Sequence, residues 1–159
     1  MDLNEYASLF LDAFHDGEEA EGGMAHFAAL KKLALTGTAD SLERLDAFLL
    51  RLNKDGYGIE LDLDAVPVQN FLYLLAFYLG GVAGDLSEAE TTWITYEVLI
   101  DANPNLEEQI PCVLGTSVIC MVGSSLYFPL SDVMARLIEG DDAPSVPASV
   151  QAIVAKDKP

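Results

Sequence analysis

Residues 66–84 read VPVQNFLYLLAFYLGGVAG. Pro67 stands where a helix start tolerates proline, and Val68 to Leu79 are apolar on nearly every side, so this stretch predicts a helix at the centre of the fold. Gly80, Gly81 and Gly84 are expected to end it. The mainly apolar run from Phe71 to Ala83 is about 13 residues, short of the roughly 18 to 20 that span a bilayer, and it reads as a buried core helix.

Upstream, three more helices follow from spacing. Asp2 and Glu5 form a capping pair for the first, on which Leu3, Tyr6, Leu9, Phe10, Ala13 and Phe14 recur at three- and four-residue intervals. It should stop before Gly17, where a glycine- and glutamate-rich loop begins. A second is expected over Met24–Leu35, with Lys31 and Lys32 near its end and Gly37 as its stop. Ser41 is the expected N-cap of a third, striped by Leu42, Leu45, Phe48, Leu49 and Leu52 and ended by Gly56. Between it and the central helix, Ile59 to Asp64 alternates apolar and acidic residues and predicts a short strand with Glu60, Asp62 and Asp64 outward.

Downstream, Thr92–Ile100 and Thr116–Val122 are rich in β-branched and aromatic residues and predict two further strands. If the first two of the three strands are parallel neighbours, the central helix makes a right-handed crossover. Pro129 opens a last long helix with Leu130, Val133, Met134 and Leu137 inward, closed by Gly140. The expected architecture is α+β, an N-terminal helical layer on a small two- to three-stranded sheet. Residues 1–140 should form a single domain, with 141–159 a linker and a short docked tail carrying Val150, Ile153 and Val154.

The formal net charge is −18, and it is unevenly spread. From Asp55 to Ala135 there are twelve acidic residues in 81 and neither lysine nor arginine. With no basic patch, binding to nucleic acid or to an anionic membrane surface is disfavoured. The N-terminus lacks the basic n-region and continuous apolar h-region of a secretory signal, so a cytoplasmic location is expected. Cys112 and Cys120, about 26 Å apart at roughly 3.3 Å per residue if they share one strand, are expected to be buried and reduced.

No motif names a reaction, a metal or a cofactor. His15 and His26 are separated by three glycines, and neither His-Glu-x-x-His nor Cys-x-x-Cys occurs. No nucleophile elbow or phosphate loop is present, and Gly80–Gly84 follow a helix instead of a strand. Glu60, Asp62 and Asp64 lack the glycine and the twelve-residue spacing of a calcium loop, leaving a solvated face or a weak cation site.

Trp93, the one tryptophan, shares its alternation with Glu97 on the more mixed face of its strand. Two readings stand open for it. Exposed beside acids, it would anchor a basic partner; covered by a helix, it would be core. Tyr78-Leu79-Gly80 at the end of the apolar helix, Trp93 in the next strand, and Phe128-Pro129-Leu130 opening the late helix together resemble small bacterial α+β domains, some of them cytoplasmic immunity proteins that block a cognate toxin. The resemblance covers roughly residues 66–140, carries over no catalytic residues, and implies a bacterial cytoplasmic interaction protein.

The leading expectation is a non-enzymatic module for a basic protein partner, with Trp93, Glu97, Glu60, Asp62 and Asp64 as the candidate contact residues. Two alternatives remain: a small enzyme with carboxylates between helices and sheet, and a surface made acidic by adaptation to salt.

Overall fold

A computed structural model describes residues 2–157, and the helix from Val66 to Ser87 (α4) is its axis. From Phe71 through Leu79 every α4 side chain except Tyr73 is buried, and Val82 and Ala83 continue the burial. α4 has 22 residues and an 18-residue window of mean hydropathy 1.4, so by length and composition it could cross a membrane, although the apolar run alone is shorter than a span. What distinguishes it is that other elements enclose it.

α4 runs straight through Gly80, Gly81 and Gly84, which were expected to stop it. Two of these glycines are instead where the sheet comes closest. A Cβ on Gly80 would overlap the Trp93 ring and lie 3.0 Å from Cys120 Sγ, and one on Gly84 would overlap the Thr91 methyl. Termination comes at Glu88, in the left-handed conformation at φ 52°.

The other helices are α1 (Leu3–His15), α2 (Phe27–Lys32), α3 (Ala39–Lys54), α5 (Tyr96–Ala102), α6 (Pro129–Glu139) and α7 (Val146–Asp157); α1, α6 and α7 pack directly on α4, whereas α5 sits against β1. The sheet is antiparallel, ordered β1 (Thr91–Thr95), β2 (Val118–Val122), β3 (Ser125–Tyr127). Trp93 pairs with Cys120, and Cys120 with Tyr127. The α+β class and the helical layer on a three-stranded sheet are as expected, but the strands are partly different ones.

Ile59–Asp64 is a run of turns. Ile59 and Glu60 donate back to Gly56 O, and Asp62 Oδ1 accepts from Asp64 N–H, so Ile59 is left 92% exposed. Alternation alone does not make a strand when no partner lies alongside. With this strand gone, so is the parallel crossover.

Thr92–Ile100 divides at Thr95, whose Oγ1 accepts the Val98 N–H as an N-cap and turns the chain into α5. The second helix is shorter than its spacing suggested. His26 precedes it at φ 59°, and the Arg44 guanidinium takes the carbonyls of Leu33 and Ala34 at 2.7 and 2.6 Å beyond its end. Thr38, not Ser41, caps α3.

Between α6 and α7 the chain makes a turn at Gly140–Asp142 and enters α7 at Val146, with Ala143 and Val146 buried. Asp46 on α3 accepts from Arg136 Nε and Nη2, both at 2.9 Å, and from the Val146 N–H at 2.9 Å. Arg136 Nη1 holds the carbonyls of Gly140 and Ala143. This clamp seats α7 with Val146, Val150, Ile153 and Val154 buried. Cys120 is buried, its thiol pushed up to about 12 by desolvation, whereas Cys112 is exposed, against expectation.

Candidate functional site

β1 is an edge strand, and α1 closes that edge. Asn4 Oδ1 accepts the Trp93 N–H at 2.7 Å and its amide reaches Trp93 O at 3.5 Å, replacing the neighbour strand that β1 lacks. Trp93 therefore lies beneath α1, 7% exposed, edge-on to Phe77 at 5.0 Å. This rules out the reading of Trp93 as a surface anchor. Asp2 caps α1, its Oδ1 accepting from Glu5 N–H at 2.8 Å.

Seated this way, α1 buries only Ala7 completely. Its other apolar residues cover a wider arc than the contact with α4 and β1 can use. Tyr6, Leu9, Phe10, Ala13 and Phe14 line a cleft of about 410 Å³ whose far wall is the 18–24 loop and whose base includes Met24 and Asn70. Leu9 is 54% and Tyr6 39% exposed at its mouth. Tyr6, Phe10 and Phe77 meet at centroid distances of 5.5 to 5.9 Å, which fixes the aromatic wall.

The loop is pinned as firmly as the helix. Asn70 Nδ2 donates to the carbonyls of Glu21 and Gly23 at 3.1 and 2.7 Å, Glu19 Oε1 accepts the Met24 N–H at 2.9 Å, and Ala25 N–H donates to Pro67 O. Gly17, Gly22 and Gly23 supply the positive φ angles the loop needs to turn back over α4. The cleft is thus preformed, mostly apolar, and free of any nucleophile paired with a base.

Its electrostatics follow from chain position. Residues 1–30 contain Asp2, Glu5, Asp12, Asp16, Glu18, Glu19 and Glu21 and neither lysine nor arginine. Asn70 belongs to the second stretch without them. Every residue lining the cleft therefore comes from a segment lacking lysine and arginine, and Glu18 and Glu21 stand in the lining itself. Lys31 stands past the Phe14 end of the cleft, its Nζ 5.3 Å from the centre of the Phe27 ring and 3.7 Å from where a Cβ on Gly17 would lie.

The residues singled out by sequence are not gathered here. Glu60, Asp62 and Asp64 are exposed in the turns before α4, and Glu97 is exposed in the first turn of α5 beside Val98, which is 53% exposed. Among the described residues, no group of three or more His, Cys, Asp or Glu side chains is placed to hold a metal ion. Of two clefts between helices and sheet, the seam between α1 and β1 is lined by Asn4, Ala7, Ser8, Leu11, Phe77, Gly81, Thr91 and Trp93, with no carboxylate or histidine, whereas the one between β3 and α7 includes Asp132 beside Tyr127.

Two clefts contain polar groups already engaged or enclosed. Beside His15 and Asp85, Tyr78 accepts the Gly37 N–H at 2.9 Å and lies 2.5 Å from Ser41 Oγ, while Ser41 donates to Thr38 O at 2.7 Å. That serine hydroxyl is committed to the backbone and is not poised as a nucleophile. Near α7, burial raises the Asp132 carboxyl while a hydrogen bond from Ser149 opposes the shift, and the adjacent Tyr127 hydroxyl is buried without a partner.

His26 is enclosed edge-on by Tyr57 at 4.7 Å, Phe71 at 5.1 Å and Phe48 at 5.8 Å, and its Nε2 is buried without a hydrogen-bond partner. Desolvation lowers its pKa. The unfolded chain then binds a proton near pH 6.5 that the folded chain takes up only at lower pH, so stability should fall as the pH drops through about 6.5. Urea midpoints measured across that range should show this slope. His26→Asn, which tolerates the left-handed backbone, should flatten it; an unchanged slope would assign it to other groups.

Comparison with family models, curated proteins and solved structures finds no match to this chain.

Proposed function

We propose that this chain is a non-enzymatic binding protein that engages a basic protein partner through the α1 cleft and the acids around it. Its most concrete form is a cytoplasmic inhibitor of the immunity type. The observation that carries this reading is the coincidence of a preformed apolar cleft with walls drawn wholly from segments that lack lysine and arginine. An apolar cleft contributes affinity by removing partner surface from water, and the surrounding field selects the sign of the partner and speeds its approach. The turns at Glu60, Asp62 and Asp64 and the exposed Glu97 extend the negative surface without forming the cleft.

The partner is identified by pull-down with salt elution and mass spectrometry, then studied with purified components. Association should slow several-fold between about 50 and 300 mM salt as screening shortens the range of the field. Glu18→Lys with Glu21→Lys should slow it further at low salt, with the dissociation rate less affected. A rate independent of ionic strength and of these charges would remove the basis for the proposal. It would leave the acidity as a property of the surface alone.

A further inference from the structure

We infer that the occupant of the α1 cleft is an amphipathic helix whose polar face is rich in lysine or arginine, an inference that rests on the basic-partner reading. Tyr6, Leu9, Phe10 and Ala13 follow the i, i+3, i+4, i+7 pattern of one helix seam, and they remain half-open after α1 has packed on α4 and β1. A seam of this kind receives the apolar stripe of another helix, because the i±3 and i±4 ridges of the two interlock. With Phe14 it runs about 12 Å, roughly two helical turns at 1.5 Å per residue. Ala13 on the helix and Ala20 on the facing loop are small, leaving the low point where a large partner side chain can enter.

Other occupants fit less well. An added β-strand needs an open sheet edge, and at Trp93 Asn4 already takes up the backbone N–H and C=O of β1. A second copy would bring another chain of net charge −18 against Glu18 and Glu21. A partner helix with lysine or arginine flanking its apolar stripe meets both features of the site together. Its stripe fills the seam, and its flanks face the carboxylates at the rim.

The test uses two synthetic peptides of about 18 residues and identical leucine and lysine composition, one with the 3.6-residue period of a helix and one strictly alternating. Binding to the full chain is read by fluorescence anisotropy at about 50 mM salt, where surface charges act over more than 10 Å. The helical peptide is expected to bind at least tenfold more tightly, about 1.4 kcal/mol. Leu9→Glu is the discriminating variant, because Leu9 is exposed and the change adds a negative charge. Seam docking predicts several-fold weaker binding, whereas attraction by charge alone predicts tighter binding. Ala13→Trp should weaken binding by filling the low point, with circular dichroism confirming the fold of both variants. Equal binding of the two peptides, or tighter binding by Leu9→Glu, overturns the helix inference and leaves the basic-partner reading standing. Failure of both peptides to bind at low salt overturns both.

Discussion

Asp46→Ala is expected to cost about 3–5 kcal/mol of folding stability, because it strands a buried guanidinium. Arg136 is 6% exposed, and the pair it forms with Asp46 is the one ion pair among the described residues. Hydrogen bonding to Asp46 raises the Arg136 pKa, and without that partner the guanidinium still stays charged because its ordinary pKa is far above neutrality. Alanine would also leave the Val146 N–H without an acceptor at the start of α7. In a chain of this length the loss corresponds to a fall in Tm of roughly 10 °C. Denaturant titration gives the direct value. The double variant Asp46→Leu, Arg136→Met should recover a substantial part of the loss, since the pair is replaced by apolar volume, although the carbonyls of Gly140 and Ala143 lose their donor. A loss under about 1 kcal/mol for Asp46→Ala would mean that the clamp is screened by solvent as a surface pair is.

The second large effect is a change of sign between adjacent residues. Gly80→Ala should destabilise by about 1–3 kcal/mol, because the new methyl overlaps the Trp93 ring and crowds Cys120 in a fully packed seam. Gly81→Ala meets nothing within 4 Å and should stabilise by roughly 0.5–1 kcal/mol, the ordinary helix-propensity gain over glycine. Trp93 fluorescence should shift in the first variant and remain unchanged in the second. Equal effects at the two positions would contradict the close approach of α4 to the sheet.

The same glycines show where the sequence was legible and where it was not. The apolar stripes of α1, α3 and α6 and the all-round apolar run of α4 identified these helices because both are local patterns. A glycine in a helix reads locally as a stop, and only the position of a tryptophan thirteen residues further on shows that it is a contact. Ile59–Asp64 failed for a related reason: period two is a necessary condition for a half-buried strand, but the ladder partner is non-local. Thr95 was read for its β-branching when its hydroxyl served as a cap, and the two roles share one side chain. The α1 cleft left a usable trace. Eight apolar residues on one helix exceed what a single buried face requires, and no lysine or arginine precedes Lys31. That stretch of 30 residues is shorter than the one from Asp55 to Ala135 but equally free of lysine and arginine.

The Asp46 clamp also bears on synthesis. Asp46 and Arg136 are separated by 90 residues, which at about 5–20 residues per second is roughly 5–18 s of translation. Throughout that interval α3 has Leu42, Leu45, Phe48 and Leu49 without α6 or α7 to cover them, and the carboxylate of Asp46 stands hydrated beside that stripe. A charge next to an uncovered apolar surface discourages its association with other nascent chains. The residue that locks the finished molecule is therefore expected to serve first as a gatekeeper for its unfinished half.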